Sequence, residues 1–208
     1  GDQVIDEDEV LEYTLTAEDI DGDALDYDAF SSSEDIEVKV AGDLLIITPS
    51  VNWNGTTDIM VTVNDGFLSD DETFTLTVNP VNDAPVLEEI GPQAISEDSP
   101  LNLPLIATDV EGDDLIFTTE SDTSAVSVNI ISGYVILTPA YNWNGTANIT
   151  VSVTDDSLSD SETFLLTVIP VNDPPELGAI GPQETLEDTD LILLLTATDV
   201  DSTELYFE

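Results

Sequence analysis

The chain has no cysteine and no histidine, and Lys39 is its only basic residue against 46 acids. The absence of cysteine excludes disulfides and leaves the redox compartment unread. Zinc and copper lose their preferred ligands together with cysteine and histidine. Without histidine, cysteine or arginine, the usual general bases, nucleophile pairs and phosphate clamps are missing, so an enzyme is not expected. Carboxylate pairs occur throughout the chain, so pairing alone does not mark a glycosidase. No apolar run approaches the roughly 18 residues of a membrane-spanning helix, so membrane insertion of this segment is not expected either. The formal charge of −45 disfavours nucleic acid and anionic membranes as partners. It also makes a compact chain repel itself, which calls for positive charge from outside: divalent metal, high salt, or both.

What is present argues against an acidic disordered tail, because 41% of the residues are apolar and they alternate. The pattern repeats every 90 residues. Asn52-Trp53-Asn54-Gly55-Thr56 returns as Asn142-Trp143-Asn144-Gly145-Thr146, and Val81-Asn82-Asp83 as Val171-Asn172-Asp173. Glu7-Asp8 returns as Glu97-Asp98 and Glu187-Asp188, and Asp19 as Asp109 and Asp199. The expected organisation is repeat one over residues 1–80, lacking the start of its first strand, repeat two over 81–170, and a partial third over 171–208. The chain starts inside one repeat and stops inside another, which suits part of a longer array or a subunit completed by a neighbour.

Within repeat two, period-two alternation marks seven strands. They are A (Pro85 to Ile95, broken at Gly91-Pro92), B (Leu101, Leu103, Leu105), C (Leu115 to Thr119), D (Val126, Val128, Ile130), E (Tyr134 to Leu137), F (Ile149, Val151, Val153) and G (Phe164, Leu166, Val168). Seven short strands in about 90 residues, with no helical period, predict tandem all-β, seven-stranded immunoglobulin-like Greek-key sandwiches. Lys39 alternates with Val38 and Val40 and belongs on the solvent face. Trp53 and Trp143 are expected to close the bottom of each sandwich. A sugar-stacking platform built on them with Tyr141 is the alternative.

Prolines bracket Asn82-Asp83 and Asn172-Asp173, so no helix or ladder runs through either junction. If successive strands alternate in direction, loop ends from neighbouring repeats meet at these junctions. Glu7, Asp8, Asp109, Glu111, Asp113 and Asp155 would converge on the first. Glu97, Asp98, Asp199 and Asp201 would converge on the second. Such all-oxygen donor sets suit calcium, which takes roughly 6–8 oxygen ligands, better than magnesium with its tighter octahedron. Asp19, Asp21 and Asp65 are the repeat-one counterparts of Asp109, Glu111 and Asp155 and join the candidate metal set. Asp19-Ile20-Asp21-Gly22-Asp23 lacks the closing glutamate and flanking helices of an EF-hand.

The Asn-Asp-Ala-Pro junction, the Asp-Val-Glu-Gly-Asp loop, Val-Thr-Asp at the end of strand F and Thr-Pro-x-x-Asn-Trp-Asn-Gly resemble the bacterial cadherin-like tandem repeats. These are immunoglobulin-like repeats of large secreted or surface proteins, including adhesins. The resemblance implies sandwiches with calcium between them. It points to Glu7, Asn82, Asp83, Asp109, Glu111 and Asp155 at the first junction, and to Glu97, Asn172, Asp173, Asp199 and Asp201 at the second. Asn79 and Val81 depart from the linker of animal cadherins, which implies fewer ions or weaker binding. The expected function is a calcium-rigidified stalk of an extracellular or cell-surface adhesion protein. The expected partners are calcium and neighbouring repeats or identical subunits, with polysaccharide or another surface protein as further partners. Two alternatives stand beside it: a filament subunit completed by strand exchange, and a polysaccharide-binding accessory module of a secreted enzyme.

Overall fold

Alternating side chains become strands only where a second sheet covers the apolar face, and here each repeat supplies both sheets. A computed structural model describes residues 1–207. It forms two compact units, Gly1–Asp83 and Ala84–Glu208. Unit 1 consists of β1 (Gln3–Asp6), β2 (Leu11–Thr14), β3 (Asp26–Ser31), β4 (Ile36–Ala41), β5 (Leu44–Pro49), β6 (Gly55–Asn64) and β7 (Ser69–Asn79). One sheet has the order β1-β7-β6-β3 and the other β2-β5-β4. The β1–β7 pair is parallel and the remaining pairs are antiparallel. Leu45, Ile47, Ile59 and Leu76 are fully buried between the sheets. Lys39 is exposed and pairs with Glu37 at 2.8 Å, on the solvent face as expected.

Unit 2 repeats this plan. Its elements are β8 (Val86–Leu87), β9 (Gln93–Ser96), β10 (Leu101–Pro104), β11 (Ala107–Thr108), β12 (Ile116–Ser121), β13 (Val126–Ile131), β14 (Tyr134–Pro139), β15 (Gly145–Thr154), β16 (Ser159–Ile169), β17 (Glu176–Leu177) and β18 (Ala197–Thr198). The β12-β15-β16-β9 sheet packs with β10-β14-β13, and two short pairs, β8–β11 and β17–β18, complete the strand pairing. Strand A does break at Gly91-Pro92. Gly91 takes φ 65°, and the chain passes from β8, paired with β11, to β9, paired with β16. Strand C starts one residue later than the alternation suggests, and Leu115 packs against the core from outside the ladder.

The tryptophans have packing contacts. Trp53 and Trp143 pack on their respective cores, and each indole lies over the glycine two residues on. A Cβ at Gly145 would stand 3.0 Å from the Trp143 ring, and Gly145 has φ 150°. Gly55, with φ 145°, shares that backbone conformation, which side chains rarely adopt, and this favours glycine after Asn-Trp-Asn in both copies.

Candidate metal centre

The loop acids spend one oxygen on their own loops. Asp109 Oδ1 accepts the N–H groups of Gly112 and Asp113 at 2.9 and 3.0 Å. Asp19 Oδ1 does the same for Asp21 and Asp23, and Asp199 Oδ1 for Asp201 and Ser202. Asp155 and Asp65 each accept two N–H groups from the turn after strand F: Ser157 and Leu158, and Phe67 and Leu68. These backbone donors hold the Asp65 carboxyl below the usual range. One oxygen of each thus shapes its own loop. Asp109 Oδ2 is enclosed and has no hydrogen-bond partner. Asp21 is exposed.

The Glu-Asp pair of each of the first two repeats splits its tasks. Glu7 is 4% exposed and Glu97 is 4% exposed, which is rare for a carboxylate. Glu7 Oε1 accepts the Val81 N–H, and its Oε2 accepts Asn54 Nδ2 at 3.2 Å. Glu97 Oε1 accepts the Val171 N–H at 2.6 Å. Each glutamate therefore fixes the start of the prolyl junction that leaves its own repeat. The following aspartate, at φ 62° for Asp8 and 58° for Asp98, turns back to accept the N–H of Asn52 and of Asn142. Sequence patterning marks these glutamates as ligands but does not reveal that anchoring task.

The second junction lies wholly within unit 2, so its charges can be read together. Asp173 donates its N–H to Asp201 Oδ2 at 2.6 Å, and Asn172 Nδ2 donates to the Asp173 carbonyl at 2.9 Å. Asp173 Oδ2 is enclosed without a hydrogen-bond partner. The Asp173 carboxyl is pushed above its usual range, first by burial, then by the charges of Asp201, Asp98, Glu97 and Asp199. A carboxyl whose folded-state affinity for its proton exceeds the unfolded one opposes folding once ionised. That opposition sets in as pH rises through the raised value. Sequence reading placed four of these five acids in the metal set and added Asp98 from loop geometry. It missed Asn142, whose Oδ1 is also enclosed without a partner beside Asp98.

Among the described residues, no three acidic side chains are drawn close enough to form a finished metal centre. The donors still fit a hard cation. They are all oxygens, two of them (Asp173 Oδ2 and Asn142 Oδ1) are enclosed and unsatisfied, and burial together with the surrounding acids disfavours the ionised form of Asp173. In unit 1, Asn82 and Asp83 close the equivalent junction beside the Glu7 anchor, with the Asn82 amide on the Asp83 carbonyl at 2.9 Å. Glu111 belongs to the loop opened by Asp109.

Two sheets with a parallel A–G edge and a B-E-D partner sheet define an immunoglobulin-type sandwich, here in tandem. The bacterial Ig domain family matches residues 1–79 and again 82–167, and the chain belongs to that family. The chain is 28% identical over 169 residues to chitinase A of Pseudoalteromonas piscicida, covering 77% of this chain and 20% of the chitinase. It spans about a fifth of that relative's length. Human protocadherin-24 EC1-2 superposes with TM-score 0.51 at 15% identity, covering 82% of this chain and 95% of that one, which supports the cadherin-like fold. An endo-fucoidan hydrolase of glycoside hydrolase family 107 aligns over 81% of this chain and 28% of its own, at 21% identity and TM-score 0.38.

Proposed function

We propose that the chain is a calcium-stiffened tandem spacer in a secreted or cell-surface bacterial protein, with a non-catalytic role. The observation that carries this reading is Asp173 Oδ2, enclosed and unpartnered amid four further acids. A burden of this kind is removed by a cation that binds the folded form. At the second junction Glu97, Asn172, Asp173, Asp199 and Asp201 would hold calcium. At the first, the counterparts Glu7, Asn82, Asp83, Asp109, Glu111 and Asp155 would do so. Asp19, Asp21 and Asp65 carry the same loop chemistry at the other end of repeat one and would serve a junction to a preceding repeat. Calcium there would neutralise the seam and hold successive sandwiches at a fixed angle.

The likeness to chitinase A supports placing such a spacer in a secreted enzyme as readily as in an adhesin. Calcium stiffening is tested by small-angle scattering on the metal-stripped protein, with calcium and with chelator. The expected result is a narrower, longer distance distribution with calcium. Identical distributions in both conditions contradict the reading.

A further inference from the structure

The outer face of the β10-β14-β13 sheet is built from residues in direct register. Pro104, Tyr134 and Ile131 form one row across the three strands, and Asn102, Ile136 and Asn129 form the next. Thr138 and Ser127 stand opposite each other in a third. Their neighbours along the strands, such as Leu103, Val135 and Ile130, pack in the core, so these eight side chains point outward. Tyr134 is 48% exposed and Ile131 58%, and Pro104 is exposed as well. None of the eight is charged, in a chain where 46 of 208 residues are acids.

Repeat one shows that the sandwich does not require such a face. Ninety residues earlier the same positions hold Thr14, Leu44 and Ala41, then Glu12, Ile46 and Lys39, then Thr48 and Glu37. The ring and both amides are gone, and three charges stand in the face, with Lys39 and Glu37 paired at 2.8 Å. Strand order and register are nevertheless the same in the two units. The repeat-two row is also held still. Ser132 at φ 52° and Gly133 at φ 79° make the two-residue turn between β13 and β14, and the Leu105 N–H donates to the Gly133 carbonyl at 2.9 Å. Little order is then lost when a ligand settles on it.

Size and charge select the occupant. Three strands about 4.8 Å apart and up to six residues long give a face on the order of 300 Å², well below the ~800 Å² per partner of a stable protein interface. A second copy would also bring two strongly acidic chains together around it. A sugar chain needs only a narrow strip. An aromatic ring between apolar neighbours suits the C–H face of a pyranose, and side-chain amides both donate to and accept from its hydroxyls. Asn129 Nδ2 donates to Ser127 Oγ at 3.3 Å, which orients that amide. Beside Pro104, Glu88 and Glu89 border a small cavity of about 170 Å³. Their carboxylates would accept from neutral hydroxyls and repel a sulfated or uronic chain. We propose that this face is a binding platform for a neutral polysaccharide, with Tyr134 as its stacking ring and Asn102 and Asn129 as its polar contacts. The platform lies wholly within repeat two and uses none of the junction acids, so it operates with or without calcium.

The test is affinity electrophoresis of the whole chain, in chelator, through gels carrying hydroxyethylcellulose, galactomannan, laminarin or glycol chitin. Alginate and dextran sulfate serve as acidic comparators. The chain is expected to be retarded in at least one neutral gel and in neither acidic one. Tyr134→Ala weakens that binding by about tenfold or more. Tyr141→Ala, which removes a ring 79% exposed outside this face, leaves it unchanged. Both side chains face solvent, so both variants keep the melting temperature of the parent. In the unmodified chain, oligosaccharides of the retarding polymer shift the amide resonances of 101–104 and 127–138. No retardation in any neutral gel, or equal retardation of parent and Tyr134→Ala, overturns the proposal. So does a sedimentation mass that doubles with concentration in the parent and not in Tyr134→Ala, which would make the face a contact between copies.

Discussion

Glu97 and Asp173 serve the same junction, and burial gives them different tasks. Glu97 is buried and accepts the Val171 N–H through Oε1, so it acts as a structural anchor with or without metal. Glu97→Ala strands that N–H in a dry setting and is expected to cost about 1–3 kcal/mol. Glu97→Gln, which keeps an acceptor oxygen, should cost less, and urea titration of the two variants checks the order. Asp173 instead carries an enclosed oxygen with nothing to accept from. Asp173→Asn is expected to raise the melting temperature in chelator and to remove most of the gain on adding calcium. A variant that melts below the parent in chelator contradicts the strain assigned to this carboxylate. Asp65 runs the other way. Its carboxyl is lowered by the Leu68 and Phe67 N–H groups, so the support it gives its turn is complete at neutral pH. That support is lost as pH falls through the lowered value. Amide exchange at Leu68, corrected for intrinsic rates, should stay protected at neutral pH and lose protection in strong acid. Asp65→Ala should remove the protection at every pH.

At the scale of elements, most strands were legible because each alternation has a covering sheet. Ile149, Val151 and Val153 are all fully buried at the spacing the pattern demands. Deleting methyls there leaves a cavity, so Ile149→Ala should cost about 2–5 kcal/mol in a denaturant melt of unit 2. Alternation alone was not sufficient. Leu191, Leu193 and Leu195 repeat the pattern of Leu101, Leu103 and Leu105, yet they are 46%, 40% and 39% exposed and lie outside any strand among the described residues. In repeat two β10 pairs with β14, and among the described residues no strand pairs with the 191–195 stretch. The loop to which each acid belongs was legible in the same way. Loop acids can be assigned to junctions from strand direction, but which oxygen each commits to its own loop depends on local N–H geometry. Asp8 and Asp98 as partners of the following asparagine loop, and Asn142 as an enclosed acceptor, carry no signature of their own in the chain.

For the whole molecule, a charge of −45 and two well-packed β units set opposing demands. Apolar burial holds each sandwich together, while the acids at its ends oppose their neighbours. Monovalent salt screens that opposition everywhere, so both units should gain stability with ionic strength. A divalent cation acts where oxygens converge, and its effect should be specific to calcium over magnesium at equal ionic strength. The most direct measurement is calorimetric titration of calcium into metal-stripped protein, in parallel with Asp173→Asn. The account predicts saturable binding by the parent, in the range from about 10⁻⁵ to 10⁻³ M used by extracellular and sensor sites, with weaker binding or fewer sites in the variant. No saturable heat at millimolar calcium, or the same isotherm for parent and variant, would contradict it.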